Sequence, residues 1–129
     1  MMRAKNVLDS FKYAYQGIVY TLRTQRNMRI HVSAATLVIL TGIFLKVTKV
    51  EMAILILSCN VVITAEMINT SIESTIDLYS RQRHPLAKIG KDVAAAAVLV
   101  SSISSAVVGT LILGPYIIIF LKKYIANSF

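Results

Sequence analysis

The chain has 129 residues, 56% of them hydrophobic, with a mean hydropathy of +0.66 and 14 Lys+Arg against 6 Asp+Glu, a formal charge of +8. A soluble domain of this size has no interior large enough for so much apolar surface. Disorder is excluded by the same hydrophobicity, a single cysteine (Cys59) excludes a disulfide scaffold, and a nucleic-acid module would explain the charge but not the apolar excess, which leaves an integral membrane protein with its bases gathered at the ends of apolar spans.

The N-terminal residues include bases but no compact apolar run ending in a small-residue cleavage site, so no signal peptide is expected. Instead Val7, Leu8, Phe11, Tyr15, Ile18, Val19 and Leu22 share one helical arc of about 120°. Lys5, Lys12 and Arg23 flank that arc. The pattern predicts an amphipathic helix over residues 5–25 lying on the membrane surface; packing against a partner protein is the alternative.

The first span is expected over residues 30–50. Only Ile30 to Leu45 lacks Lys, Arg, Asp and Glu, so Lys46 and Lys49 would have to snorkel to the interface. His31, at its mouth, reads as an interfacial hydrogen bonder. The second span is expected over 51–79, opened by a capping box with Thr48 at the N-cap and Glu51 at N3. It is charge-free from Met52 to Ala65, where Cys59 reads as a small buried apolar residue.

The third span is expected over 86–123, opened by His84-Pro85. Its stretch from Val93 to Leu121 has 29 residues without a charged side chain, beyond the roughly 20 needed to cross a bilayer. Gly114-Pro115 is expected to kink or loosen its outer end. Ala97, Ser101, Ser105 and Gly109 repeat at i+4, which suits close helix packing either within one subunit or between subunits. Tyr116 and Tyr124 read as interfacial anchors.

Ten of the 14 bases precede the first span or lie between the second and third: Arg3, Lys5, Lys12, Arg23, Arg26, Arg29, Arg81, Arg83, Lys88 and Lys91. The other four are Lys46, Lys49, Lys122 and Lys123. The positive-inside rule then places the N-terminus in the cytoplasm and the C-terminus outside a plasma membrane.

Four polar residues interrupt the inner half of the second span: Glu66, Asn69, Glu73 and Asp77. Their spacings put them within about 80° of one another on a helix, as one stripe about 16 Å long. A carboxylate at that depth costs several kcal/mol unless paired or used. The stripe either forms salt bridges to neighbouring helices, through Arg29 or Lys91, or holds cations. Lys91-Asp92 falls at the same interface. Oxygen ligands suit Mg²⁺, commonly bound by one or two carboxylates plus substrate phosphates, and a lysine holds phosphate as a point charge. Together these residue types suggest phosphoryl transfer at a membrane surface. No Walker A pattern, kinase glycine loop or dinucleotide fingerprint is present.

Glu66-x-x-Asn69-Thr70-x-Ile72-Glu73-x-x-x-Asp77, followed by Ala87-Lys88-x-x-Lys91-Asp92-x-Ala94-Ala95-x-Ala97-Val98, resembles the signature of the small prokaryotic diacylglycerol kinases. The His84-Pro85-Leu86-Ala87-Lys88 and Arg26-Asn27-Met28-Arg29-Ile30-His31 runs look like the Gram-positive branch, whose members prefer undecaprenol. The similarity covers nearly the whole chain. It implies a bacterial all-α integral membrane kinase, one domain over residues 1–129 with a surface helix and three transmembrane helices. It further implies a homotrimer with active sites shared between subunits, ATP as co-substrate, Mg²⁺ as cofactor and a lipid alcohol as acceptor.

By the resemblance, Glu66 matches the general base and Glu73 a metal ligand, while Asn69, Lys91 and Asp92 match groups around metal and nucleotide. Tyr13 falls near a nucleotide contact, and Asp77 is a supporting member of the motif. Two other functions fit parts of the pattern. A proton-coupled transporter would use Glu66 but not the further acids, and a structural subunit would use none of them.

One position departs from the family. A metal-binding glutamate is usual six residues before the place of His31, and this chain has Gln25. An amide oxygen can coordinate Mg²⁺ but brings no negative charge. Gln25→Glu is therefore expected to lower the Mg²⁺ concentration needed for half-maximal rate. An unchanged Mg²⁺ titration and rate would remove Gln25 from the metal site.

Overall fold

A computed structural model describes residues 6–79 and 84–126, and these form four helices. They are α1 (Val7–Thr24), α2 (Arg26–Leu45), α3 (Lys49–Tyr79) and α4 (Pro85–Ala126). Arg3, Lys5, Arg81 and Arg83 lie outside the described residues. The last three helices are each long and apolar enough to cross a membrane.

Asn6 starts α1: its side-chain oxygen accepts from the Asp9 N–H at 2.8 Å, with Asp9 in the first turn favouring the positive end of the helix. Val7, Leu8, Phe11, Tyr15 and Ile18 of the apolar arc are exposed, as is most of α1, while Val19 and Leu22 of the same arc are half-buried. At its other end the Arg29 guanidinium, from α2, donates to the Leu22 and Arg23 carbonyls at 3.3 and 3.1 Å. A cation there satisfies carbonyls that have no partner within the helix and suits the negative end of the dipole. A single extended residue, Gln25 (φ −98°, ψ 120°), separates α1 from α2.

α2 begins at Arg26 and stops at Leu45, short of the expected Val50. Lys46 takes a left-handed conformation (φ 56°, ψ 44°). Its N–H donates to Ile43 O and that of Val47 to Gly42 O, both at 3.1 Å. This pair of bonds is a Schellman C-cap, usually built with glycine. Lys46 consequently lies in a tight α2–α3 turn and Lys49 opens α3, so neither belongs to the first span. Buried Gly42 lets the turn close, since a Cβ there would stand 2.9 Å from Met52 Cε.

The capping box forms at the start of α3. The Thr48 N–H and hydroxyl donate to Glu51 Oε2 at 2.8 and 2.7 Å, and the Glu51 N–H donates to Thr48 Oγ1 at 3.3 Å. The Tyr116 hydroxyl, from α4, also donates to Glu51 Oε2, at 2.8 Å. Tyr116 therefore joins two helices rather than merely anchoring at the interface. α4 continues through Pro115 as an unbroken helix of 42 residues.

α3 packs chiefly on α4 and then on α2. The core lies between them: Met28 and Ala35 from α2, Leu55, Cys59 and Val62 from α3, and Ala94, Val98 and Leu113 from α4. α2 and α4 meet mainly near one end, where the Phe44 and Phe120 rings pack edge to face with centroids 5.5 Å apart. Elsewhere a cleft of about 500 Å³ separates them, lined by Ala35, Cys59, Val62, Ser105 and Gly109 among others, with His31 at its rim. Of the small-residue row, Ser105 and Gly109 line this cleft and Ala97 is exposed, so the row is not consumed by packing inside one subunit.

A non-glycine residue in the left-handed region is disfavoured. Lys46→Gly is expected to stabilise the detergent-solubilised protein by up to about 1 kcal/mol, read as a higher unfolding temperature.

Candidate active site

Glu66, Asn69 and Thr70 are buried on the core face of α3, continuing the line of Leu55, Cys59 and Val62. α3 is unusually polar here for a spanning helix, and it remains helical because the polar side chains bond within it. The Thr70 hydroxyl donates to the Glu66 carbonyl at 2.9 Å. The Asn69 side-chain N–H donates to Glu73 Oε1 at 3.3 Å, one turn further along. Within the stripe itself, Asn69 and Glu73 are joined directly.

Two of its atoms are unsatisfied. Glu66 Oε2 and Asn69 Oδ1 are buried and have no hydrogen-bond partner among the described residues. Glu66 itself is 2% exposed. Arg29, one possible counter-ion, is occupied at the end of α1. Lys91, the other, pairs with Asp77 at 2.6 Å. Glu66 therefore forms no salt bridge among the described residues, and its electrostatic neighbours are His31 and Glu73.

The α3–α4 pair sets the depth of these groups. Measured from Lys49, Glu66 lies about 26 Å along α3 and Asp77 about 42 Å. If α3 enters a hydrocarbon core about 30 Å thick at Lys49, that length puts Glu66 near the far edge of the core and Asp77 beyond it. Two polar contacts hold the helices in register, Glu51–Tyr116 at one end and Asp77–Lys91 at the other. These contacts are separated by about 39 Å along α3 and about 37 Å along α4, so the antiparallel pair runs in step. Gly90 permits the close approach beside Lys91, because a Cβ there would stand 3.1 Å from Ile76 Cδ1.

Lys88 and Asp92 form a second ion pair, at 2.6 Å along α4. The structure thus places Glu66, Asn69 and Glu73 along one face of α3, with the Asp77–Lys91 pair at its end, whereas Asp92 is exposed and bonds to Lys88 rather than to the stripe. Tyr13 lies on α1 and Gln25 at the α1–α2 junction, not on α3. Tyr13 is exposed on α1, and no hydrogen bond joins either residue to the stripe among the described residues. The Gln25 side chain caps neither helix it adjoins. Among the described residues no three His, Cys, Asp or Glu side chains converge as a metal site. The contact that sequence reasoning missed is Tyr116–Glu51; the Asp77–Lys91 pair is the expected bridge through Lys91, made by the last acid of the stripe.

The family described as Prokaryotic diacylglycerol kinase matches residues 12–113. The chain belongs to this family. It is 41% identical over 106 residues to the undecaprenol kinase of Bacillus subtilis, covering 82% of this chain and 86% of that one. It is 42% identical over 113 residues to the diacylglycerol kinase of Synechocystis, covering 87% of this chain but only 65% of that longer protein. To the diacylglycerol kinase of Pseudomonas aeruginosa it is 32% identical over 97 residues, 75% of this chain and 79% of that one. The relatives are lipid kinases, which leaves the transporter and structural-subunit readings without support.

An unsatisfied carboxylate among apolar side chains opposes folding. Glu66→Gln, which removes the charge and keeps the shape, is expected to unfold no earlier than the wild type. A marked fall in unfolding temperature would mean that Glu66 has a structural partner.

Proposed function

We propose that the chain is an ATP-dependent lipid kinase that phosphorylates undecaprenol in preference to diacylglycerol. Family membership supports the reaction, and the similarity to the Bacillus subtilis undecaprenol kinase supports the acceptor. The observation that carries the site is the buried, unpartnered Glu66 carboxylate at the edge of the apolar core. A lipid hydroxyl arriving laterally from the bilayer reaches that depth, whereas ATP arrives from the aqueous side.

Glu66 is the general base. Its free carboxylate oxygen accepts the proton of the lipid hydroxyl while the hydroxyl oxygen attacks the γ-phosphorus of ATP. The bond from the γ-phosphorus to the β–γ bridging oxygen breaks, and ADP leaves. Burial serves this step twice: it keeps water from competing as acceptor, and it leaves the carboxylate unsolvated. Lys91 faces the phosphates as a point charge, and Asp92, Asn69 and Glu73 complete the polar surround.

The donor set fits Mg²⁺. Asn69 Oδ1 is an orphaned oxygen, Glu73 offers a carboxylate one turn away, and both are hard ligands. Asn69, Glu73 and Gln25 would hold the ion, with ATP phosphates as the remaining ligands. Bound there, it supplies positive charge against the charge developing on the phosphates.

The working unit is a homotrimer with shared sites. Much of each span's surface, including Leu37, Leu40, Leu57, Val61, Leu99 and Ile103, is exposed in the single subunit. Tyr13 and Gln25 make no hydrogen bond to the α3 stripe of their own chain among the described residues, and a neighbouring stripe would supply their partner. The basic ends of the spans face the cytoplasm of a bacterial plasma membrane, Gram-positive by the resemblance, with the C-terminus outside.

Glu66→Gln is expected to abolish lipid phosphorylation, by at least about 100-fold for loss of a general base, while ATP binding persists. Full turnover in that folded variant would exclude Glu66 as the base.

A further inference from the structure

The Asp77–Lys91 ion pair joins helices across residues 80–84, with Asp77 Oδ1 2.6 Å from Lys91 Nζ. Its side chains are 65% and 35% exposed, and ion pairs of such exposure add little to stability. The pair therefore matters chiefly for where the ammonium stands. Lysine carries its charge on a flexible four-carbon stem with about 2 kcal/mol of rotamer entropy to lose. Lys91 is the half-buried cation at the open end of the stripe, while Lys88 is turned to Asp92 on the exposed side of the same helix.

We propose that Asp77 is a positioning residue for Lys91, fixing its ammonium at the phosphate-facing mouth of the site through an ion pair between α3 and α4. This rests on the kinase reading, in which Lys91 meets the ATP phosphates. An ammonium has three donors. One is committed to Asp77, and two remain for phosphate oxygens. Asp77 also ties that direction to the stripe itself, because it sits one turn beyond Glu73 on α3 and Gly90 lets α4 approach closely there. The alternative is competition, with Asp77 holding Lys91 away from phosphate and nucleotide having to displace it. The two predict opposite signs.

Asp77→Asn is nearly isosteric at an exposed position and should fold. The purified variant, in lipid, is expected to show a KM for ATP raised about three- to fivefold, the effect of an exposed ion pair. Its kcat and its KM for the lipid alcohol should stay within about twofold. In a Lys91→Met background, Asp77→Asn should leave the affinity for a non-hydrolysable ATP analogue unchanged, because the group it positions is gone. A KM for ATP that is unchanged or lowered overturns the proposal, as does the same loss of affinity with Lys91 absent. A general structural defect would move both KM values and kcat together, which also overturns it. Wild-type protein that neither binds ATP nor phosphorylates lipid overturns the kinase reading and this proposal together. A working wild type with an indifferent Asp77→Asn overturns this proposal alone.

Discussion

A carboxylate buried where nothing in its own subunit satisfies it is the constraint around which this chain is arranged. Glu66 is packed into the α2–α3–α4 core, yet one of its oxygens meets no donor. Such a group survives only where surrounding elements fix its helix firmly. They do so here through apolar packing of α3 on α4 along the line Leu55, Cys59, Val62, and through a polar contact at each end of the pair. Because those contacts lie at matching heights on antiparallel helices, the depth of Glu66 and the position of Lys91 are set by the same register.

The scarcity of acids follows from the same constraint. Six acidic residues are present, and each described one has a definable setting. Asp9 sits in the first turn of α1, Glu51 caps α3, Glu66, Glu73 and Asp77 lie along the stripe, and Asp92 pairs with Lys88 on α4. Bases are more freely placed. Arg29 ends the surface helix and Lys46 closes a turn, so several cations that composition assigns only to a membrane side also have local structural work. Arg29 in particular could have neutralised the stripe, and its engagement with α1 is part of why Glu66 stays unpaired.

Much of this was legible in the sequence. Hydropathy located three spans, the arc from Val7 to Leu22 located α1, and the Thr48–Glu51 spacing located a cap that forms atom for atom. These are local periodicities, and local patterns read out directly. The end of α2 did not, because its stop depends on Lys46 entering a left-handed conformation that sequence assigns first to glycine. Tyr116–Glu51 was also hidden, since it depends on the tertiary register of two helices. The stripe was visible as spacing, but which of its acids would be paired was not: Asp77 found a cation and Glu66 did not.

A kinase of this design needs no separate nucleotide-binding domain. Positioning and charge compensation carry most of phosphoryl transfer, and on the proposed reading a helix pair crossing the interface would supply both, with the lipid on one side and ATP on the other. The most direct test is transfer of label from γ-labelled ATP by the purified chain in lipid with Mg²⁺, offered undecaprenol and diacylglycerol in parallel. The account predicts label in lipid phosphate, faster with undecaprenol. Folded protein that labels neither lipid would contradict it.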